Sequence, residues 1–273
     1  MAEEKKDMSF LEHLEELRRR LVRAVLGVVA GVIVIVCFHD FVVNDVIMGP
    51  RQADFITYRA FCAWSHQMGL EDQLCLQPPN FKLQSTTMSG NMNADIVVCL
   101  VGGLIIAFPF VFWQIWGFIK PGLKDREVTA VHGIVFFVSA LFFAGVIFGY
   151  FVLAPLSIQF LGNYQFADVE NNSTILSYLK LTTSLVFGTG LIFQLPVLMY
   201  FLAKIGLVSS AFLKKYRKHA FVVNLIIAAV LTPPDVTSQL LVAMPILLLY
   251  ELSIMIAARV EKGQEARMAY SSK

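Results

Sequence analysis

Charged residues are scarce in this chain, in which Asp, Glu, Lys and Arg make up 15% of 273 residues while hydrophobic residues make up 57%. A soluble domain of this size usually has about a quarter of its residues charged, because its surface must face water. Together with a mean hydropathy of +0.66, the shortage of charge excludes an ordinary soluble domain. The composition instead fits the lipid bilayer, and we predict an all-α integral membrane protein.

Motifs for catalysis and for metal binding are also absent. The five histidines are dispersed without a His-x-x-x-His spacing, and the four cysteines form no Cys-x-x-Cys pair. There is no glycine loop that could cradle a phosphate and no nucleophile elbow. We therefore expect no enzymatic activity, no metal, no cofactor and no nucleic-acid partner. The function should lie in or across a membrane.

Long apolar runs are abundant, and a run of about 20 residues can cross a hydrocarbon core of about 30 Å as a helix. A fifth run, Ala220–Leu231, has only twelve residues, and a sixth begins after Pro233 and Pro234. We predict six transmembrane helices in one membrane domain over residues 1–273, with the short fifth and sixth spans forming a helical hairpin. The four clear spans are Leu21–Val43, Ile96–Ile119, Val131–Leu153 and Leu181–Leu202.

The basic residues indicate the orientation. If the six spans are right, 18 of the 22 Lys and Arg residues lie on the side that holds both chain ends. Cytoplasmic loops carry the excess of Lys and Arg, so both termini should be cytoplasmic. Residues 44–93 then form a long outer loop and residues 259–273 a cytoplasmic tail.

The first 20 residues should form an amphipathic cytoplasmic helix. Ser9 and Glu12 have the spacing of a capping box, and leucines then recur every three or four residues. Acids precede bases along this segment, which suits the helix dipole. The spacing permits two ion pairs four residues apart, Glu15 with Arg19 and Glu16 with Arg20.

Two of the four cysteines, Cys62 and Cys75, fall in the predicted outer loop. Disulfides persist in oxidising compartments outside the cytoplasm, so our hypothesis is that these two cysteines are bonded to each other. Cys37 and Cys99 lie inside predicted spans and should stay reduced.

The segment His13–Arg20 reads His-Leu-Glu-Glu-Leu-Arg-Arg-Arg, and the segment Trp116–Glu127 combines an aromatic helix end, a Pro-Gly turn and a charged tip. The first resembles the His-Leu-x-Glu-Leu-Arg-x-Arg signature of the TatC family, the polytopic subunit of the twin-arginine protein translocase, and the second resembles that family's first cytoplasmic loop. Five motifs in register cover nearly the whole chain. The later ones are Tyr150–Pro155, Phe193–Pro196 and Leu231–Gln239.

The resemblance implies a receptor that binds the twin-arginine signal peptides of folded cargo proteins. It implies assembly with the single-span subunits TatA and TatB, homo-oligomers within the receptor complex, and export across the bacterial cytoplasmic (inner) membrane using the proton-motive force. Glu16 and Glu127 match the family's binding acids, and Phe118 matches its functional aromatic residue. Arg18 and Arg20 match its basic positions, where they either contact the peptide or orient the acids. A carboxylate suits this task because it can grip a guanidinium with two hydrogen bonds.

Three further positions follow from the same resemblance. Gln194 stands where many members carry a glutamate; it can hydrogen-bond but cannot titrate, so we expect a polar group that points inward without relaying protons. Pro50 matches a family proline and should set the entry to the outer loop. Asp235 lies in the predicted outer turn, either as a cap of the sixth span or with a direct role.

Two other functions stay open at this point. A proton-coupled small-solute transporter would show internal repeats and ionisable groups near the membrane midplane, and neither is evident here. An inert membrane scaffold would leave the cytoplasmic acids without a purpose.

Overall fold

The computed structural model describes residues 10–52, 54–69, 75, 83–119, 131–163, 173–231 and 236–271. The described chain is mostly helical, which confirms the predicted all-α class. Two short segments, Leu83–Gln84 (β1) and Ser173–Thr174 (β2), pair in parallel. The helices are α1 (Phe10–Cys37), α2 (His39–Phe41), α3 (Ile56–Gln67), α4 (Gly90–Ile119), α5 (Val131–Phe148), α6 (Ala154–Asn163), α7 (Ile175–Ile192), α8 (Leu195–Lys204), α9 (Ser210–Lys215), α10 (Arg217–Leu231) and α11 (Val236–Ser271).

Five described segments are long and apolar enough to cross a membrane: Leu11–Cys37, Gly90–Phe118, Gly133–Asn163, Ile175–Lys204 and Val242–Gly263. They correspond to the four clear spans and to the sixth. The predicted fifth span is α10, whose 15 residues cover about 22 Å at 1.5 Å per residue. It forms an antiparallel hairpin with α11. Two contacts show this pairing: Gln239 Nε2 donates to the Leu225 carbonyl at 3.0 Å, and Arg217 pairs with Glu251 at 2.7 Å.

Three boundaries differ from the prediction. The amphipathic segment leads into the first span as one continuous helix, α1, but this helix ends at Cys37 and not at Val43. The predicted outer loop contains a helix of its own, α3. The predicted tail continues α11 as far as Ser271.

The described chain divides into two compact units. The first consists of residues 1–39 and 98–140 and contains α1 with most of α4. Glycines let these two helices approach closely: a Cβ built on Gly31 would lie 2.5 Å from the Gly103 carbonyl oxygen, and one built on Gly27 would overlap the Phe110 ring. Because glycine has no side chain, the two helices are in contact through their backbones at these positions.

The second unit consists of residues 40–97 and 141–273. Two clusters of buried side chains lie within it. One joins Leu153, Leu185, Ala228, Val242, Ala243 and Ile246, and the other joins Ala203, Leu213, Tyr250, Ile254 and Ala257. Glycine again allows close approach, since a Cβ on Gly145 would lie 2.8 Å from the Thr189 carbonyl oxygen. The predicted fourth span is divided at Pro196 into α7 and α8, because proline cannot donate to the helix ladder and its ring crowds the preceding turn.

Three tyrosine hydroxyls of the second unit hold one irregular segment of backbone. After α2 the chain forms a π-helical turn, Val42–Ile47, and then a tight turn, Gly49–Arg51. The carbonyls of this segment accept hydrogen bonds from the side chains of Tyr150 (to Val46, 2.5 Å), Tyr178 (to Ile47, 2.8 Å) and Tyr58 (to Pro50, 2.6 Å). We call this arrangement the tyrosine clamp.

A prediction follows for Tyr58, which is 3% exposed. Tyr58→Phe removes its hydroxyl and leaves the Pro50 carbonyl short of a donor, which should cost about 1 to 3 kcal/mol and lower the melting temperature by several degrees. Burial raises the pKa of the Tyr58 phenol to about 12, above its ordinary value of 10. The stabilisation is therefore complete below pH 10 and is lost as the pH rises through 12.

The measurement is thermal unfolding of both proteins in detergent between pH 8 and pH 12. The difference between them should shrink over the last two pH units. Tyr216→Phe is the matched control, because Tyr216 is 40% exposed. Equal melting temperatures for the parent and Tyr58→Phe at pH 8 would contradict the role given to this hydrogen bond.

Candidate functional site

One face of α1 carries the residues of the His-Leu-x-Glu-Leu-Arg-x-Arg signature that point towards α4. His13, Glu16 and Arg20 follow the spacing i, i+3, i+7, which places them on one side of a helix. All three are partly buried, whereas Glu15 and Arg19 on the neighbouring face are exposed. The same face continues through buried Ala24 and the glycine contacts of α1 with α4. The packing of α1 therefore selects which of its charged residues are held in place.

Both predicted ion pairs of α1 form, but they differ in strength. Glu15 and Arg19 are 3.3 Å apart with side chains 71% and 63% exposed, so water screens their attraction. Arg20 donates from Nε at 2.9 Å and from Nη2 at 2.6 Å to Oε1 of Glu16, and each of these side chains is only 26% exposed. The Glu16 carboxylate is thus oriented by a neighbour on its own helix. Among the described residues, both donors use one oxygen and leave Oε2 available.

The end of α4 provides the other wall of this site. A Cβ built on Gly117 would overlap the Arg20 guanidinium, so the absence of a side chain at 117 is what lets Arg20 lie against α4. One residue further, the Phe118 ring stacks on the His13 ring with centroids 4.5 Å apart and an interplanar angle of 26°. The signature on α1 and the predicted aromatic residue on α4 are therefore in direct contact. We call His13, Glu16, Arg20, Gly117 and Phe118 the signature site.

Other predicted residues fall elsewhere. Arg18 is exposed and makes no ion pair with a described residue, so Arg20, and not Arg18, orients Glu16. Glu127 and Asp235 lie outside the described residues. The expected proximity of Glu16 and Glu127 therefore stays a prediction.

Two predicted positions lie in the second unit. Gln194 is at the junction of α7 and α8 and is partly buried, with an Oε1 atom that solvent cannot reach. Pro50 is buried in the tight turn, and its carbonyl accepts the Tyr58 hydrogen bond of the tyrosine clamp.

Cys62 and Cys75 are joined by a disulfide. His66, one turn further along α3, has Nε2 at 3.6 Å from Cys62 Sγ and 4.0 Å from Cys75 Sγ. This trio has the spacing of metal ligands. Metals bind cysteine as thiolate, and the disulfide occupies both sulfurs, so the bonded form provides no thiolate at this place.

Sequence reasoning gave no role to two members of the signature site, His13 and Gly117. The signal for His13 was its spacing of three residues before Glu16, which puts both on one helix face. The importance of Gly117 depends on where a distant arginine lies, and no local pattern carries that information.

Comparison with known proteins gives a consistent result. The family described as Sec-independent protein translocase protein (TatC) matches residues 12–245. The Sec-independent protein translocase protein TatC of Blattabacterium sp. subsp. Periplaneta americana is 37% identical over 268 residues, which are 96% of this chain and 99% of that protein. The protein of the same name from Carboxydothermus hydrogenoformans is 33% identical over 255 residues, which are 93% of this chain and 94% of that protein.

Two solved structures are also similar. A crystal structure described as twin arginine translocase receptor TatC superposes with a TM-score of 0.69 at 28% identity, over 92% of this chain and all of that chain. A second, described as the same receptor in DDM, superposes with a TM-score of 0.72 over 90% and 99% of the two chains. The apolar helices indicate a multi-pass membrane protein. The match in sequence and structure shows that the chain belongs to the TatC family of Sec-independent protein translocase proteins.

Proposed function

We propose that this chain is the signal-peptide receptor and core subunit of a twin-arginine translocase, exporting folded proteins across the bacterial cytoplasmic membrane with the proton-motive force. Its partners in this proposal are twin-arginine signal peptides, TatA- and TatB-type single-span subunits and further copies of itself. The observation that carries the proposal is the signature site. There a partly buried carboxylate, Glu16, is held by Arg20 and keeps one oxygen accessible.

The geometry of Glu16 suits capture of a guanidinium. A carboxylate offers about four acceptor positions on its two oxygens, and Arg20 uses only Oε1. An arginine of a signal peptide can therefore bind Oε2 without displacing Arg20. Because the carboxylate is already ordered, the peptide does not lose binding energy in orienting it.

Glu127 is the second acid of the proposal. It follows α4 in sequence, whereas Glu16 precedes the apolar part of α1, so one crossing of α1 and one of α4 bring both to the same side of the membrane. Two acids on one surface would match the two arginines of the peptide. Arg18, exposed and without an ion pair to a described residue, is free to contact the peptide backbone or its acidic groups.

The transporter alternative has less support. From Ile96 to Ile119 and from Val131 to Asn163 the sequence contains no Asp, Glu, Lys or Arg. Glu251 of α11 pairs with Arg217 at 2.7 Å. Proton-coupled transport normally uses ionisable groups within the spans, and Gln194 cannot titrate. We therefore propose that Gln194 serves packing or a partner helix, and that the chain performs no catalysis.

Removing the charge of either acid tests the receptor. Glu16→Gln and Glu127→Gln keep the shape of the side chain, and loss of a charge-assisted hydrogen bond worth about 1.5 to 3 kcal/mol should weaken peptide binding roughly ten- to hundredfold. The measurement is the affinity of the purified protein in nanodiscs for a peptide with Arg-Arg and for its Lys-Lys counterpart.

Glu15→Gln is the matched control, because Glu15 is 71% exposed and its pair with Arg19 is solvent-screened. It should change the affinity less than threefold. If both acid variants bound the Arg-Arg peptide like the parent, with no preference over Lys-Lys, the receptor proposal would be wrong.

The contact between Arg20 and Gly117 gives a separate test. In Gly117→Ala the new methyl group displaces the Arg20 guanidinium, so Glu16 loses its orientation and peptide affinity should fall several-fold. Gly133→Ala makes the same change at a helical glycine with nothing within 4 Å, and it should bind peptide like the parent. Both variants replace a helical glycine by alanine, so unequal affinities report the Arg20 contact. Equal affinities for the two variants would show that Arg20 does not control Glu16.

We further propose six spans, with α10 as the short fifth and both termini cytoplasmic. The support is the distribution of Lys and Arg and the antiparallel pairing of α10 with α11. Cys62 and Cys75 then lie on the outer side, where oxidation is expected.

Labelling with a membrane-impermeant maleimide tests this topology. In intact cells treated with a reductant, Cys62 and Cys75 should be labelled. Without reductant the disulfide protects Cys62 and Cys75. Under that condition a cysteine introduced as Asp235→Cys should be labelled in intact cells, and one introduced as Ser272→Cys only after permeabilisation. Labelling at position 235 only after permeabilisation would mean that α10 does not span the membrane.

A further inference from the structure

An apolar groove runs along α1 and α4 within the first unit. Its volume is about 540 Å³. Small residues form its floor, among them Gly27, Gly31 and Ala107, and Phe110 forms part of its wall. The groove begins at Arg23 and reaches Val34. Gly27 and Gly31 lie against Phe110 and Gly103 of α4, so the groove follows the line of contact between the two helices.

The length of the groove matches one leaflet of a bilayer. Arg23 and Val34 are eleven residues apart, which is about 16 Å along a helix. Half of a hydrocarbon core of about 30 Å is about 15 Å. The predicted first span begins at Leu21 and so places Arg23 at the edge of the core, from which the groove would extend to the region of its middle.

The charge of the groove is confined to one end. Arg23 is exposed, and none of the carboxylates in the described part of the chain lies within ion-pair distance of it. The nearest arginine in sequence on the same face, Arg20, is already paired with Glu16. A guanidinium at the edge of the core matches a phosphate in both charge and hydrogen-bonding geometry.

From these three properties we infer that the groove between α1 and α4 binds one acyl chain of an anionic phospholipid, whose phosphate pairs with Arg23. The occupant is apolar along its length and anionic at one end, as the groove is apolar along its length and cationic at one end. A bound chain also covers the exposed faces of Leu26 and Val34 and seals the contact between the two helices. The lipid would thus be a structural component of the unit that carries the signature site.

The test uses nanodiscs of equal parts phosphatidylglycerol and phosphatidylcholine, with a photoreactive diazirine on the acyl chain of one lipid at a time. In the parent, crosslinks from phosphatidylglycerol should map to groove residues. One basic residue near the membrane surface is worth about 1 kcal/mol towards anionic lipid, so phosphatidylglycerol should crosslink there about fivefold more than phosphatidylcholine. Arg23→Gln should abolish this preference, and Arg23→Lys should keep most of it.

Filling the groove provides the second arm. Ala30 lines the groove and is exposed, so Ala30→Trp places an indole in it without entering the helix contact. Val29 is 48% exposed and does not line the groove, so Val29→Trp is the matched control. Ala30→Trp should remove the groove crosslinks and Val29→Trp should retain them, with melting temperatures confirming that both variants fold.

Three results would overturn the inference. The first is equal crosslinking by the two lipids in the parent. The second is crosslinking that Ala30→Trp leaves unchanged. The third is crosslinking of the groove residues to a signal peptide or to a second protein helix, when either of these carries the same photoreactive group, together with no crosslinking to lipid.

Discussion

The structure depends on the requirement that every backbone N–H and C=O inside a bilayer finds a partner within the protein, since lipid provides none. Helices satisfy this requirement except where proline interrupts them. Pro155 leaves the carbonyl of Phe151 without its helical donor, and the Thr57 hydroxyl donates to that carbonyl at 2.5 Å. The tyrosine clamp does the same for the irregular segment after α2, where Ile47, Gly49 and Pro50 are buried within the protein and shielded from water. Hydroxyl groups from distant parts of the chain thus donate the hydrogen bonds that the local backbone cannot provide.

Close approach of helices is the second consequence of the same solvent. Lipid tails are as apolar as leucine, so burial of apolar surface contributes little between spans and contact depends on packing. Gly31 against Gly103 brings α1 and α4 together at the level of the backbone. That approach continues towards the amino-terminal end of α1, where Arg20 lies against Gly117 and His13 stacks on Phe118. The packing of the spans therefore builds the signature site, which is why a glycine without chemistry of its own matters to a charged residue.

Much of this could be predicted from sequence, because it depends on near neighbours. Apolar runs gave the four clear spans, since a helix must stay apolar over about 20 residues to cross lipid. The pairs Glu15 with Arg19 and Glu16 with Arg20 followed from a spacing of four residues on one helix. The helix α3 was missed because it is short and lies between polar segments. Pro196 indicated a disturbance within the fourth span, but a proline within an apolar run can either kink a helix or end it, and only the structure shows that it ends α7.

The sequence by itself determined the class of protein, the apolar spans and the residues of the signature, since these depend on composition and on spacings of a few residues. Only the tertiary structure decided that Glu16, and not Glu15, is the oriented acid, that Arg20 orients it and that Gly117 makes room for Arg20. Along α1 the two glutamates are equivalent in chemistry and in their spacing of four residues from an arginine. Only Glu16 lies on the face that α4 covers, and contacts between residues about a hundred positions apart decide which face that is.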